Sequence, residues 1–237
     1  MALPIQKTAV YTLTVPSTGK TVKYRPFLVK EQKSLLIAQQ SEDTTVMLDT
    51  LKSLITDCII DKIEIDQLAM FDIEFIFSQI RAKSVGETVD LILRCDTCED
   101  EKAKVKVTVD LTKLVVETPE GHDRNIKLFD DVGVIMKYPS LDLIKQLENL
   151  STEDVEAVFE VVVKSIDTIY AGEEVHYAKD YTKEEMNQFL DSLTQDQFKK
   201  IQSFFETMPS LEKRLDYKCP MCSKEQSVLV KGLDSFF

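Results

Sequence analysis

The chain is poor in the residues that make linkers, membrane spans and common active sites. Of its 237 residues only six are glycine and seven are proline, which leaves little room for flexible linkers. No apolar run approaches the roughly 18 residues that span a bilayer. The opening MALPIQKTAVYTLTV has no charged segment followed by an apolar one, so no secretory signal is expected there and a soluble, cytosol-made protein is. Only two histidines are present, His122 and His176. Each is expected in a solvated loop or at an edge, and nothing places a reactive thiol beside either. Phosphate-binding G-x-x-x-x-G-K-[ST] loops, G-x-S-x-G elbows and H-E-x-x-H helices are all missing. Each gap removes a common route to an enzyme. Blocks of Lys and Arg are missing too, and the net charge is −12. A nucleic-acid binder sets cations against phosphate, so the acidic balance counts against that class.

What is there is an ordinary globular balance, with 43% hydrophobic and 30% charged residues. The length suits one large domain or two small ones. The five cysteines are the sharpest feature. Four of them form two Cys-x-x-Cys pairs, Cys95/Cys98 and Cys219/Cys222, more than one hundred positions apart. The first stands in VDLILR-CDTC-EDEKAKVKVTVDL and the second in LEKRLDYK-CPMC-SKEQSVLVKGL. Strand, tight turn and strand is the pattern of a zinc knuckle. One knuckle supplies two thiolates, whereas a closed structural zinc site takes four ligands. The expectation is one structural Zn2+ held by Cys95, Cys98, Cys219 and Cys222.

The rival chemistry is thiol–disulfide exchange. A redox pair of that kind usually starts a helix, whose N-terminus lowers one thiol pKa, and both pairs here are flanked by strand-like runs. Local disulfides and knuckles without metal are the remaining alternatives. Catalytic zinc is disfavoured, because four thiolates leave no open position for water. Cys58 falls on an apolar helix face and reads as buried packing. The acidic run Glu99–Glu101 reads as a solvated knuckle tip.

The pattern along the chain is α+β and repeats its order. A hairpin, AVYTLTV-PSTGK-TVKYRPF, precedes helical segments over Lys30–Gln40, Thr45–Ile60 and Asp66–Lys83. The first knuckle then closes a half ending near Leu114. A second hairpin, NIKLF-DD-VGVIMKYPS, precedes helices over Leu141–Leu150 and Thr152–Tyr170, with Ser151 as an N-cap. Thr182 with Glu185 and Thr194 with Gln197 read as capping boxes of two more helices. The second knuckle closes the chain. KYRPFL at Lys23–Leu28 echoes KYPSLD at Lys137–Asp142. The expectation is two similar α+β halves, 1–118 and 119–237, joined through a zinc-ribbon-like element, or one compact unit. A generic α+β order without duplication is the alternative. The terminal Phe236 and Phe237 either dock into a partner or cover the protein's own sheet. The N-terminal hairpin could add to a neighbour's sheet.

The PSTGK turn, VKYRPFLVKEQKSLL, the QQSED segment, the late CPMCSKEQSV knuckle and the DSFF end together resemble the T-even-type phage baseplate protein family. That family covers baseplate hub subunits and hub assembly proteins of contractile-tailed phages. The resemblance covers nearly the full chain and is strongest over about its first quarter. It implies a non-enzymatic structural or assembly protein of the tail baseplate, found in the virion and in host cytoplasm during assembly. It implies partners among the other baseplate hub, wedge, tube and spike proteins, and several copies in a symmetric assembly. No catalytic residue, nucleic acid or membrane is implied. Two other classes stay open: a zinc-ribbon regulatory or nucleic-acid-binding module, and a thiol oxidoreductase.

Overall fold

A computed structural model describes residues 8–41, 43–98, 103–147 and 155–232. The architecture is α+β, with small antiparallel sheets. The chain opens with β1 (Tyr11–Thr14), β2 (Thr21–Tyr24), α1 (Val29–Ser41), α2 (Thr44–Cys58) and α3 (Met70–Ser84). Next come β3 (Thr88–Arg94), β4 (Lys104–Asp110), β5 (Val116–Glu117), β6 (Asn125–Phe129) and β7 (Val132–Met136). Helices α4 (Leu141–Leu147) and α5 (Val155–Ser165) precede β8 (Ile166–Ala171) and β9 (Glu174–Tyr177). Last are α6 (Lys183–Asp191), α7 (Gln195–Glu206), β10 (Ser210–Lys218) and β11 (Glu225–Lys231).

These elements form two compact units. One holds Met1–Glu117 together with Ser210–Phe237, and the other holds Thr118–Pro209. The second unit starts beside the expected junction. It ends before β10, however, so both Cys-x-x-Cys hairpins belong to the first unit. The reason is burial. Leu211, Leu215 and Val230 of the last hairpin share an apolar cluster with Ala82, Val109, Leu111 and Leu114. Strand β10 also pairs with β5, Ser210 opposite Glu117 and Leu211 opposite Val116. The second unit is thus a chain insertion leaving and re-entering the first at one strand pair.

In the first unit the opening hairpin pairs Tyr11 with Tyr24 and Leu13 with Val22. Its turn needs Gly19, which sits at φ 67 and donates its N–H to the Val15 carbonyl at 2.8 Å. The turn is tied to α3 by the buried Asp72. That carboxylate accepts Ser17 N–H at 2.9 Å, Ser17 Oγ–H at 2.5 Å and Ala69 N–H at 3.2 Å. Helix α2 starts at Asp43, whose side chain accepts Thr45 N–H and Val46 N–H. Its inward face buries Leu51, Leu54, Ile55 and Cys58, which recur at helical spacing, but takes Leu48 inside in place of the expected Met47, which is half-buried. Helix α3 buries Phe71, Ile73, Ile76, Phe77 and Ile80.

Glu31 opens α1 as a buried anion. It accepts Arg25 Nη2–H at 2.8 Å and Leu28 N–H at 2.7 Å, and Lys30 Nζ stands at 3.1 Å. Burial works to raise its pKa, but the Arg25 fork, the Leu28 amide and Lys30 outweigh it. The carboxyl is held at about 2, against an ordinary 4.5.

The second unit is built on a four-stranded sheet of order β6-β7-β8-β9. Leu128, Val134, Met136, Val162, Ile166, Met186, Leu190, Ile201 and Phe204 form its core. Both expected capping boxes are present, at Thr182/Glu185 and Thr194/Gln197. The expected cap Ser151 lies outside the described residues. One expected helix is corrected. The segment expected to be helical to Tyr170 leaves the helix at Ser165 and becomes β8. Ile166, Thr168 and Ile169 are β-branched and favour extended backbone. They pair with β7, Ile169 opposite Val134 and Thr168 opposite Ile135. Gly172, at φ 62, then turns the chain into β9. Tyr170 lies over Gly133 and donates its hydroxyl to Asn125 Oδ1 at 2.8 Å. A Cβ at position 133 would collide with Tyr170 Oη and meet the Ile126 carbonyl oxygen at 2.6 Å.

Two outcomes follow from these contacts. Because Glu31 has its folded pKa lowered, its contribution is complete above the unfolded value of 4.5 and vanishes as pH falls towards 2. Urea unfolding of Glu31→Gln should show a loss of at most about 3 kcal/mol at neutral pH. The variant and the parent should converge as the pH approaches 2. Gly133→Ala should destabilise by about 1–3 kcal/mol, since both the ring and a backbone carbonyl must give way. An unchanged urea midpoint would contradict that close contact.

Candidate metal centre

Strands β3 and β4 pair in full register from Thr88 opposite Asp110 to Arg94 opposite Lys104. Strands β10 and β11 do the same from Glu212 opposite Lys231 to Lys218 opposite Glu225. The inward-facing residues of the two hairpins meet over one apolar cluster, Val89, Leu91, Leu93 and Val107 from one and Leu215, Val228 and Val230 from the other. Period-two alternation leaves the opposite faces to Asp90, Arg94, Lys104 and Lys106. Tyr217 fastens the ends together by donating its hydroxyl to the Arg94 carbonyl at 2.7 Å.

Each hairpin tip turns back through a backbone bond across its Cys-x-x-Cys segment. Cys95 N–H bonds the Ala103 carbonyl and Cys219 N–H bonds the Lys224 carbonyl, both at 3.0 Å. In the second tip Ser223 N–H also bonds the Cys219 carbonyl at 3.0 Å, with Ser223 at φ 58. This folding places both cysteines of each pair on the side facing the other hairpin.

The four expected ligand residues are therefore brought together. All four Sγ atoms lie within 4.8 Å of one another. Cys95 Sγ is 3.8 Å from Cys222 Sγ, and Cys98 Sγ is 3.9 Å from Cys219 Sγ. A disulfide needs sulfurs at about 2.05 Å, and all five cysteines are free thiols. A tetrahedron with metal–sulfur bonds of about 2.3 Å has edges of about 3.8 Å. The Cys95–Cys222 and Cys98–Cys219 separations, both between knuckles, have about that length. The donor set therefore fits a tetrahedral, thiophilic cation. Cys95 and Cys219 are buried, Cys98 is half-buried and Cys222 is exposed.

Polar groups around the sulfurs favour negative charge on some of them. The Cys95 thiol is drawn down to about 6, first by the Thr97 hydroxyl and then by the Thr97 and Cys98 amides. Cys222 is lowered, first by the Lys224 amide. Cys98 is pushed up to about 12, first by the neighbouring Cys222 sulfur and then by burial. Met221 N–H donates to Cys219 Sγ at 3.4 Å.

Other sequence candidates fall elsewhere. Cys58 is buried in α2, and burial pushes its thiol up to about 11. The acidic tip Glu99–Glu101, Phe236 and Phe237 lie outside the described residues. His122 is in a loop of the second unit, but it is half-buried rather than solvated. Its Nδ1 is 3.0 Å from Thr207 Oγ1, its Nε2 is 3.0 Å from Tyr138 Oη, and its ring stacks on Tyr138 and Phe204. Desolvation lowers its pKa. His176 is on the edge strand β9, with Nδ1 2.6 Å from Tyr181 Oη. Sequence reasoning missed Thr97 and Gln226, which touch the sulfurs. Gln226 had a legible signal: it heads the inward row Gln226, Val228, Val230 of β11, where a polar residue requires a partner.

The environments predict an order of thiol reactivity. In reduced, chelator-treated protein, iodoacetamide should label the exposed Cys222 first. Cys58 should stay unlabelled until the protein is unfolded. Peptide mass spectrometry reads the order, and early labelling of Cys58 would contradict its burial.

Sequence comparison gives the relatives. The T4 bacteriophage base plate protein family matches residues 8–237. The baseplate hub assembly protein gp26 of Enterobacteria phage T4 is 23% identical over 228 residues, which cover 96% of this chain and 97% of that protein. No solved structure matches the chain. No described helix is long and apolar enough to cross a membrane. The chain belongs to the T4 bacteriophage base plate protein family.

Proposed function

We propose that this protein is a non-enzymatic structural or assembly component of the baseplate hub of a contractile-tailed phage. In this reading one structural Zn2+ is held by Cys95, Cys98, Cys219 and Cys222. The observation that carries the role is the end-to-end correspondence with a protein named for baseplate hub assembly, which spans 96% of the chain. The metal is supported by the sulfur cluster, two of whose inter-knuckle edges have the length expected of a thiolate tetrahedron. Its partners are other baseplate proteins of hub, wedge, tube or spike. Its places of action are the host cytoplasm during assembly and the tail baseplate of the virion.

When bound, the metal supplies a cross-link and a positive charge among four sulfurs. The chain's own residues do the rest. The β3–β4 and β10–β11 cores set the two tips side by side, and Tyr217 fixes their register. The bound cation would then hold the β10–β11 hairpin to the β3–β4 hairpin within the first unit. Structural zinc sites contribute apparent free energies of about 10–16 kcal/mol in small peptides. Even a fraction of that is comparable with the net stability of a domain.

Elemental analysis of the purified protein, with phage complementation beside it, tests the proposal. One zinc per chain is expected, and none with Cys95→Ser and Cys222→Ser together. Phage lacking its own copy of this gene should give baseplates with the parent protein and few with that double variant. A parent protein without metal would overturn the zinc site. Normal phage yield without any copy of the protein would overturn the hub role.

A further inference from the structure

Two side chains cross between the knuckles in opposite directions. Thr97 belongs to the first tip. Its hydroxyl is 3.2 Å from Cys95 Sγ in its own knuckle and 3.8 Å from Cys222 Sγ in the other. Gln226 belongs to the second hairpin. Its Nε2 donates to Cys95 Sγ at 3.4 Å, and its Oε1 accepts Asp96 N–H at 3.4 Å. Each knuckle therefore sends one polar side chain onto a sulfur of its partner.

The chemistry fixes the direction of these bonds. A thiolate has no hydrogen to donate, so the Thr97 hydroxyl must be the donor when it faces one. The Gln226 amide is oriented to suit the same charge. Turned over, it would set a carbonyl oxygen against sulfur and an NH2 group against a backbone N–H. Both contacts would repel. As placed, the amide gives a donor to the sulfur and an acceptor to the backbone beside it.

We infer that Thr97 and Gln226 are reciprocal positioning residues, which set the two knuckles in register and hold their sulfurs ready for a thiophilic cation. The inference rests on the metal reading above. Neither residue touches the cation; each acts through Cys95 or Cys222. Outer-shell hydrogen bonds of this type orient ligands, and their loss typically costs 10–100-fold in metal affinity. Gln226 also governs the backbone of the first tip, because Asp96 N–H has its bond on the Gln226 amide. A Glu at 226 would keep the size and the acceptor but point a negative charge at the sulfurs.

The test uses full-length protein loaded with Zn2+ or Co2+. Removal of zinc by a chelator should be about 10–100-fold faster for Gln226→Ala and Thr97→Val. It should be faster still for Gln226→Glu. Thr97→Ser keeps the hydroxyl and should release zinc at the parent rate. In Co2+-loaded protein the sulfur-to-metal charge-transfer band should shift in Gln226→Ala and Thr97→Val, because a donor to sulfur is lost. A merely structural loosening would leave that band in place. Equal release rates and an unmoved band in both variants would overturn the inference. If the parent protein takes up no metal, the metal reading fails before any variant is compared. Hydrogen exchange of the Asp96 amide in the reduced, metal-free chain then decides the clamp. Faster exchange in Gln226→Ala supports it, and equal exchange overturns it.

Discussion

Four sulfurs within 4.8 Å of one another impose the constraint on which the first unit depends. Two full charges at that range repel by about 4 kcal/mol at the effective dielectric near a protein surface. The cluster cannot hold four bare thiolates. Either protons stay on some sulfurs or a cation sits among them. The apolar cluster beneath presses the tips together whatever the sulfurs carry. Neutralisation therefore decides whether the junction of the two hairpins adds to stability or subtracts from it.

The constraint matters because of where the hairpins fall in the chain. Cys98 and Cys219 are separated by 121 positions, and the whole second unit lies between them. Strand β10 is central to the first unit: it pairs with β11 on one side and β5 on the other. A chain that has not yet closed this pairing lacks Leu211, Leu215 and Val230 from its apolar cluster. Closing a loop of this length carries an entropic cost that rises only slowly with length. A cross-link at the tips offsets that cost. The length of the insertion is thus less of an obstacle than the charge among the sulfurs.

Much of this was legible in the residues. The Cys-x-x-Cys pairs sit on turns because apolar alternation on both sides forces strands, and both capping boxes mark helix starts by their Thr and Glu or Gln. The helices α2 and α3 follow from apolar spacing, with ends a residue or a few from expectation, whereas α1 leaves Val29, Leu36 and Ile37 exposed and buries only Glu31 and Ala38. The hairpin of β8 and β9 was not legible. VVVKSIDTIY is apolar enough to continue a helix, and the deciding partner, the open edge of β7, lies elsewhere in the chain. The division into units was hidden for the same kind of reason. Nothing local in LEKRLDYK says that its inward residues are needed by a cluster contributed from Ala82 to Leu114. His122 reads as solvated because its neighbours in sequence are polar, while Tyr138 and Phe204, which cover it, come from distant positions.

The polar surroundings of the sulfurs bear on the acidity of the chain. A protein with a net charge of −12 gains nothing in overall balance from another negative cluster. The groups aimed at the sulfurs here are short and fixed: the amides of Met221 and Lys224, the Thr97 hydroxyl and the Gln226 amide. Such dipoles need no flexible cationic arm to be ordered. They also do not compete with a metal for its place, as a lysine ammonium set among the sulfurs would. A first unit organised this way stabilises partial charge on sulfur without setting a competing positive side chain among the four thiols.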